Sequence, residues 1–381
     1  TEEAGRGNLT VNANSEIESI VEAKAAAEAT DLAVGVSILV NVARANTAAS
    51  LAGNITAGEM NVTAKDSANQ TLTASGADSE ASGAYIAVAV VDQKGAATVG
   101  GTVDGTGLTV QSEQSNSTTV TAVSGSGEAE AENGNARTEK KEESEKENIT
   151  VEGALEKVGN IKVKDAEGNE TAAVKEDELQ ESKAKFDEGA KSAQKDGEAG
   201  ASKSQFVGAF AVVIANNSNK ATVHNATVTL EGVLNVEAKA TVKYDSTADG
   251  SAVMEKGAAD PANTKVTSVG VAVVVQVVNA ENAAVVSGGK IVAGELTVNA
   301  ESGSEEAAGG SLAKAKAGYS AGDFGLGGAI AVNVYSGKTG AYVDNTELEI
   351  SGNINISASD CSDTLTEGTA VCDETDAAGQ K

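Results

Sequence analysis

Leu9, Val11 and Ala13 alternate with Asn8, Thr10 and Asn12, and the same period of two returns at Leu296, Val298 and Ala300 and at Ile354, Ile356 and Ala358. That period sends successive side chains to opposite faces of an extended chain, so each run predicts a half-buried β-strand. The runs belong to a recurring phrase. Gly7-Asn8-Leu9-Thr10-Val11-Asn12-Ala13 returns as Gly58-Glu59-Met60-Asn61-Val62-Thr63-Ala64 and as Gly294-Glu295-Leu296-Thr297-Val298-Asn299-Ala300, with looser versions from Gly107, Gly232 and Gly352. A second phrase, an apolar run rich in small residues such as Ala33–Val42 or Ala329–Val334, precedes most of them. A period of roughly 50–60 residues predicts stacked repeats, because one unit of this kind cannot bury its apolar face alone.

Within a repeat the pattern predicts a strand (Leu296–Ala300), a polar arm (Glu301–Gly328) and a strand (Ala329–Val334). A break at Tyr335–Thr339 and strands near Gly340–Val343 and Glu347–Ile350 follow. That is about two rungs of a coil per repeat, at roughly 20–30 residues each. The glycine that opens most repeats reads as a corner residue tolerant of positive φ. Asn41, Asn217, Asn279 and Asn333 recur near strand ends and predict an asparagine ladder, each amide bonding the rung above and below. Glu16–Ala29 and Ala313–Ala317 are alanine-rich, but helix propensity is a weak prior, and the alternation around them predicts strands or irregular arms.

The repeats are interrupted after Ser124. Residues 125–204 are rich in Glu, Lys, Ala and Ser and include Glu139-Lys140-Lys141-Glu142-Glu143-Ser144-Glu145-Lys146-Glu147. A hairpin of Ile149–Val151 with Ile161–Val163 and a helix over Ala172–Lys195 are expected there. The repeats resume at Phe206. The chain thus divides into first repeats (1–124), a charged, partly helical insertion (125–204) and later repeats (205–381). The expected fold class is all-β, a parallel β-helix or β-solenoid, right-handed by the general rule for parallel crossovers.

The paired phrases, clearest at Gly328–Val343 and weaker at Val34–Ala48, Gly83–Val99, Val207–Val223 and Gly270–Val286, resemble the repeats of large bacterial surface adhesins of the leukotoxin-type filamentous family. The resemblance covers nearly the whole chain outside 125–204 and carries no catalytic signature. It implies a right-handed parallel β-helix, secretion to the bacterial surface, and a role as a stalk or binding surface. Neighbouring copies of the chain, or of a longer parent polypeptide, are the expected partners, with a host-surface protein or glycan as the other candidate.

Composition sharpens this. Aromatic residues make up 2% and Trp is absent, so the core must be thin and built from Ala, Val, Ile and Leu. The net charge of −28 disfavours nucleic acid and anionic membranes, which need clustered Lys and Arg. Charged lateral faces should oppose side-by-side association and leave axial stacking through exposed strand edges. No apolar run reaches the ~18 residues of a membrane-spanning helix. The first residues carry no signal-peptide pattern, and the expectation is a piece of a longer secreted polypeptide.

Candidate chemistry is sparse. His224 is the only histidine and is expected on an outer strand face, without a Gly-x-Ser-x-Gly elbow to make a nucleophile. Asp245, Asp249 and Asp260 cluster in sequence, as paired carboxylates of a glycan-cleaving site would, but the aromatic and basic residues that line such sites are few. Gly322–Gly328 reads as a flexible arm entering a strand. Cys361 and Cys372 are close enough in sequence for a local disulfide or, equally, two free thiols. Asn8, Asn54, Asn61, Asn69, Asn116 and Asn148 head Asn-x-Ser/Thr triplets that arise by chance in such repeats. No cofactor is expected. Acidic oxygens offer ligands for calcium, but the Gly-Gly-x-Gly-x-Asp repeat is absent and an acidic excess is ordinarily a solvated surface.

Overall fold

The computed structural model describes residues 6–25, 34–76, 82–124, 162–164, 170–172, 202–252, 265–304, 309–319 and 324–372. Sixteen strands and no helix occur among them. In chain order they are β1 (Leu9–Ala25), β2 (Val34–Thr56), β3 (Glu59–Gly76), β4 (Ser82–Gly105), β5 (Gly107–Val123), β6 (Lys162–Lys164), β7 (Glu170–Ala172) and β8 (Ser202–Leu230). Then come β9 (Val233–Asp249), β10 (Lys265–Ala293), β11 (Glu295–Ser302), β12 (Gly309–Tyr319), β13 (Phe324–Asp344), β14 (Glu347–Ile350), β15 (Ile354–Asp360) and β16 (Ser362–Cys372).

The chain alternates between two sheets and adds to each in turn. The first sheet runs β1-β3-β5-β9-β11-β15, with β12 and β16 continuing the lines of β11 and β15; the second runs β2-β4-β8-β10-β13, with β14 beside β10. Every pairing in both sheets is parallel, and the register follows the repeated phrase: Leu9 sits beside Met60, Met60 beside Leu108, Leu108 beside Leu234, Leu234 beside Leu296 and Leu296 beside Ile354.

One repeat therefore adds a single strand line to each sheet, rather than two short rungs. The strands are far longer than the usual five or six residues, 17 in β1 and 29 in β8, and so use up the whole period. The expected polar arm at 301–328 is largely strand β12 and the start of β13, and β13 passes through 335–339 without a break. The alanine-rich stretches at 16–25 and 313–317 are strands too, since β3 supplies backbone partners to the first and β9 and β16 to the second, and these outweigh helix propensity.

β5 and β9 pair directly, as do β4 and β8, so the strands before and after 125–201 belong to the same sheets. Within that stretch β6 pairs antiparallel with β7. The hairpin partner found for 162–164 is 170–172; the expected partner, 149–151, lies outside the described residues. Ala172 ends a strand, and the rest of the expected helix over 172–195 lies outside the described residues.

The two corners of a repeat are built differently. From the second sheet back to the first, the opening glycines stack with backbone hydrogen bonds, Gly58 N to Gly7 O (2.8 Å), Gly232 N to Thr106 O (2.8 Å), Gly294 N to Gly232 O (2.7 Å) and Gly352 N to Gly294 O (2.7 Å). These glycines do not adopt positive φ. Their need is space: a Cβ on Gly232 would stand 2.7 Å from Thr106 O. Along the second sheet positive φ marks one bend per repeat, at Gly53 (113°), Gly101 (84°), Asn225 (46°) and Gly288–Gly289 (68° and 82°) within strands and at Asn345 (49°) between β13 and β14; in the first sheet it occurs at Gly303 (67°) and Gly310 (151°) around the start of β12.

Between the sheets lie two apolar clusters, one around Met60, Val62, Val99, Leu234, Ile291 and Leu296 and one around Leu72, Tyr85, Ala211, Val274 and Ala313. Each fully buried Val or Leu contributes about 1.5–3 kcal/mol.

Candidate functional site: an interior polar seam and an aliphatic outer face

Between the two apolar clusters the inward positions turn polar. In the first sheet they are Ser15, Asp66 and Gln114 in one row, Asn116 next, then Ser19, Gln70, Thr118, Tyr244 and Ser311. Opposite them the second sheet offers Asn41, Gln276 and Asn333, then Gln93 and Asn217, then Thr47, Asn219, Asn282 and Thr339. Buried polar groups must find partners, and many of these do so across the gap or along it. Asn41 Nδ2 donates to Gln70 Oε1 (2.8 Å) and Ser19 Oγ (3.0 Å). Asn116 Nδ2 donates to Asn217 Oδ1 (2.6 Å), and Asn217 Nδ2 to Tyr244 Oη (2.8 Å). Asn219 Nδ2 donates to Asn282 Oδ1 (2.8 Å) in the next repeat. Gln276 Nε2 donates to Ser311 Oγ, which donates to Asn333 Oδ1, both at 2.5 Å. Burial pushes the Tyr244 phenol far above its ordinary pKa, so it is a neutral hydroxyl throughout the usual pH range.

The four asparagines expected to form a ladder occupy three different rows. Asn41 and Asn333 share one, separated by Ala89, Val213 and Gln276; Asn217 lies in a second and Asn279 in a third. Asn279 points outward and donates to Asn216 Oδ1 (3.1 Å). Rungs stack by register rather than by proximity to a strand end, so the amides that do stack are Asn219 with Asn282 and Asn216 with Asn279.

The seam also holds side chains whose polar atoms find no partner. Both Asp66 oxygens, both Gln114 amide atoms and Thr47 Oγ1 are buried and unpaired. Asp66 faces the Gln114 amide and the Ser15 and Thr47 hydroxyls, and burial raises its pKa more than these neighbours lower it. This cluster escaped the reading of the repeats, although its signal was present: Ala64, Asp66, Ala68, Gln70 and Leu72 alternate at the inward period, with two polar residues where the pattern calls for apolar ones.

The outer faces differ from each other. The first sheet's is polar and charged, with Lys65 paired to Glu113 (2.6 Å) and Lys239 to Glu237 (3.2 Å). The second sheet's carries Val36, Ile38, Val40 and Val42 on β2, then Ile86, Val88 and Val90, Phe210, Val212 and Ile214, Val273, Val275 and Val277, and Ile330, Val332 and Val334. The central members Ile86, Val88, Val212 and Ile214 are buried, whereas Val40 on β2 is 64% exposed and Val334 on β13 is 50% exposed. One lateral face is thus aliphatic, contrary to the expectation of charge on all of them. At the edge strand β15 the inward residues Ile354 and Ile356 are exposed as well.

The remaining candidates are scattered. His224 is exposed beside the bend at Asn225, with its ring nitrogens 2.7 Å from Asn225 Nδ2 and 3.4 Å from Ser287 Oγ. Asp245 and Asp249 lie four residues apart on β9, about 13 Å at ~3.3 Å per residue, wider than the pair a glycosidase uses. They bind Lys243 (3.5 Å) and Lys316 (3.5 Å) respectively; Asp260 lies outside the described residues. Cys361 is a free thiol, and Cys372 ends the eleven-residue strand that starts at Ser362. An extended strand of that length holds their Cα atoms ~30 Å or more apart, against under 7 Å in a disulfide. Asn116 is buried, so its triplet is closed to modification in the folded chain; Asn148 lies outside the described residues. Residues 324–328 of the expected glycine-rich arm are already strand. Among the described residues no group of three or more His, Cys, Asp or Glu side chains gathers in a way that could hold a metal ion.

The chain matches no protein-family model, no curated protein and no solved structure.

Proposed function

We propose that this chain is a structural segment of a secreted bacterial surface protein, a right-handed parallel β-solenoid that acts as a rigid stalk and extends by axial stacking. The observation that carries the reading is the growth rule: each repeat adds one strand line to each sheet, in parallel register, and the construction can lengthen without changing its cross-section. The resemblance of the paired phrases to filamentous adhesin repeats supports the surface role. Backbone edges at β1 and β2 and at β13–β16 are the surfaces for axial contact. The role is mechanical rather than catalytic.

Electron microscopy of the purified chain tests this. Rods or fibres with ~4.8 Å axial periodicity are expected; compact globules alone would refute it.

A second reading, a ligand-binding module, draws on the corner where the first sheet hands over to the second. There the strands are separated by 26–33, 77–81, 124–201, 250–264 and 320–323, whereas the opposite corner takes only one to three residues per repeat. A binding loop belongs at the corner that tolerates length. Loss of host-glycan or host-protein binding on removal of 125–201 would favour it.

A further inference from the structure

Asp66 is the only carboxylate at an inward position of β1–β5, and no lysine or arginine takes an inward position in those strands. Lys65, its neighbour in sequence, points to the other face and is paired with Glu113. Asp66 is 2% exposed, with neither oxygen hydrogen-bonded. Ser15 of β1 and Gln114 of β5 flank it in the same row, and Thr47 of β2 faces it across the core. Gln114 and Thr47 are themselves buried, with the Gln114 amide atoms and Thr47 Oγ1 unpaired.

An ionised carboxylate buried without a counter-charge is strongly disfavoured. The oxygens at hand are a carboxylate, an amide carbonyl and two hydroxyls, the hard donors that alkali and alkaline-earth cations take. One carboxylate balances one positive charge. We infer that Ser15, Thr47, Asp66 and Gln114 form a binding site for a monovalent hard cation of the sodium or potassium type. The ion neutralises Asp66 and joins three successive strands of the first sheet to the second.

The test is thermal unfolding of the full chain at pH 8 and fixed ionic strength in the chlorides of sodium, potassium, calcium and tetramethylammonium. The wild-type midpoint is expected to be higher by roughly 3 °C or more in sodium or potassium than in tetramethylammonium, with a saturating dependence on concentration. Asp66→Asn is expected to unfold at one midpoint in all four salts. Wild-type crystals soaked in rubidium are expected to show an anomalous peak at the Asp66 carboxylate. Equal wild-type midpoints in every salt, a salt preference that survives in Asp66→Asn, or stabilisation by calcium alone would each overturn the assignment. Should Asp66→Asn not fold, Gln114→Leu carries the same comparison, and an empty site in the rubidium crystals overturns the assignment.

Discussion

Asn219 shows what a single seam residue does. Its amide nitrogen donates to Asn282 Oδ1 and lies within hydrogen-bonding reach of the Ser112 and Lys239 carbonyls (3.0 and 2.9 Å), while its Oδ1 accepts from Ser112 Oγ (2.5 Å). Replacement by leucine keeps the volume and strands those partners, and an unpaired buried polar group costs about 1–3 kcal/mol. Asn219→Leu is therefore expected to lower stability by about 2–4 kcal/mol in urea unfolding; a loss under about 0.5 kcal/mol would mean that water takes over the partners. The polar character of such positions was legible in the alternation of β3 and β5. Their partners were not, because Ser112 meets Asn219 and Asn116 meets Asn217 across a hundred residues of chain, and only the register decides which rows face each other.

At the scale of the strand, the second sheet explains its own composition. Val271-Ala272-Val273-Val274-Val275 is continuously aliphatic because alternate members face the core and the outer surface, the pattern of a strand apolar on both sides. Counting charge over the whole chain hid this, since the acidic residues gather on the other sheet, at the bends and in the insertion. Exposed aliphatic strips of this kind commonly serve as contact surfaces, and if a second copy docks here the wild-type mass in sedimentation is expected to rise with concentration. Lysine at Val40, Val42 and Val334 together should hold the chain monomeric. Each of these three is at least half exposed, so stability should move little. A wild-type mass that stays flat would show that the face does not bind a second copy. The bends teach a similar lesson: glycine marked the corners correctly, but the opening glycines serve close approach while the positive-φ residues sit elsewhere in the repeat.

For the molecule as a whole, the unbroken pairing of β4 with β8 and of β5 with β9 makes the long stretch between β5 and β8 dispensable to the sheets. Five residues, 77–81, connect the same two positions one repeat earlier. Replacing 125–201 with the 77–81 sequence is expected to leave a folded chain with strand content per residue undiminished by circular dichroism and one cooperative unfolding transition; a collapse of that signal would make the insertion part of the core. The period and the strand character were open to reading from the chain. The number of strand lines per period was not, because it depends on how far a strand runs before it bends, and single bend residues such as Gly53 and Asn225 leave no break in the alternation strong enough to see. The growth rule has one more consequence. Hydrogen bonds between successive repeats point along the direction in which strands are added, so a pull in that direction loads them one strand at a time, as in opening a zip. A pull along the strands would shear many bonds together. Under axial tension such a stalk would yield from its ends in steps, each freed repeat paying out roughly 170 Å of slack chain at ~3.3 Å per residue, and would behave as a shock absorber rather than a cable.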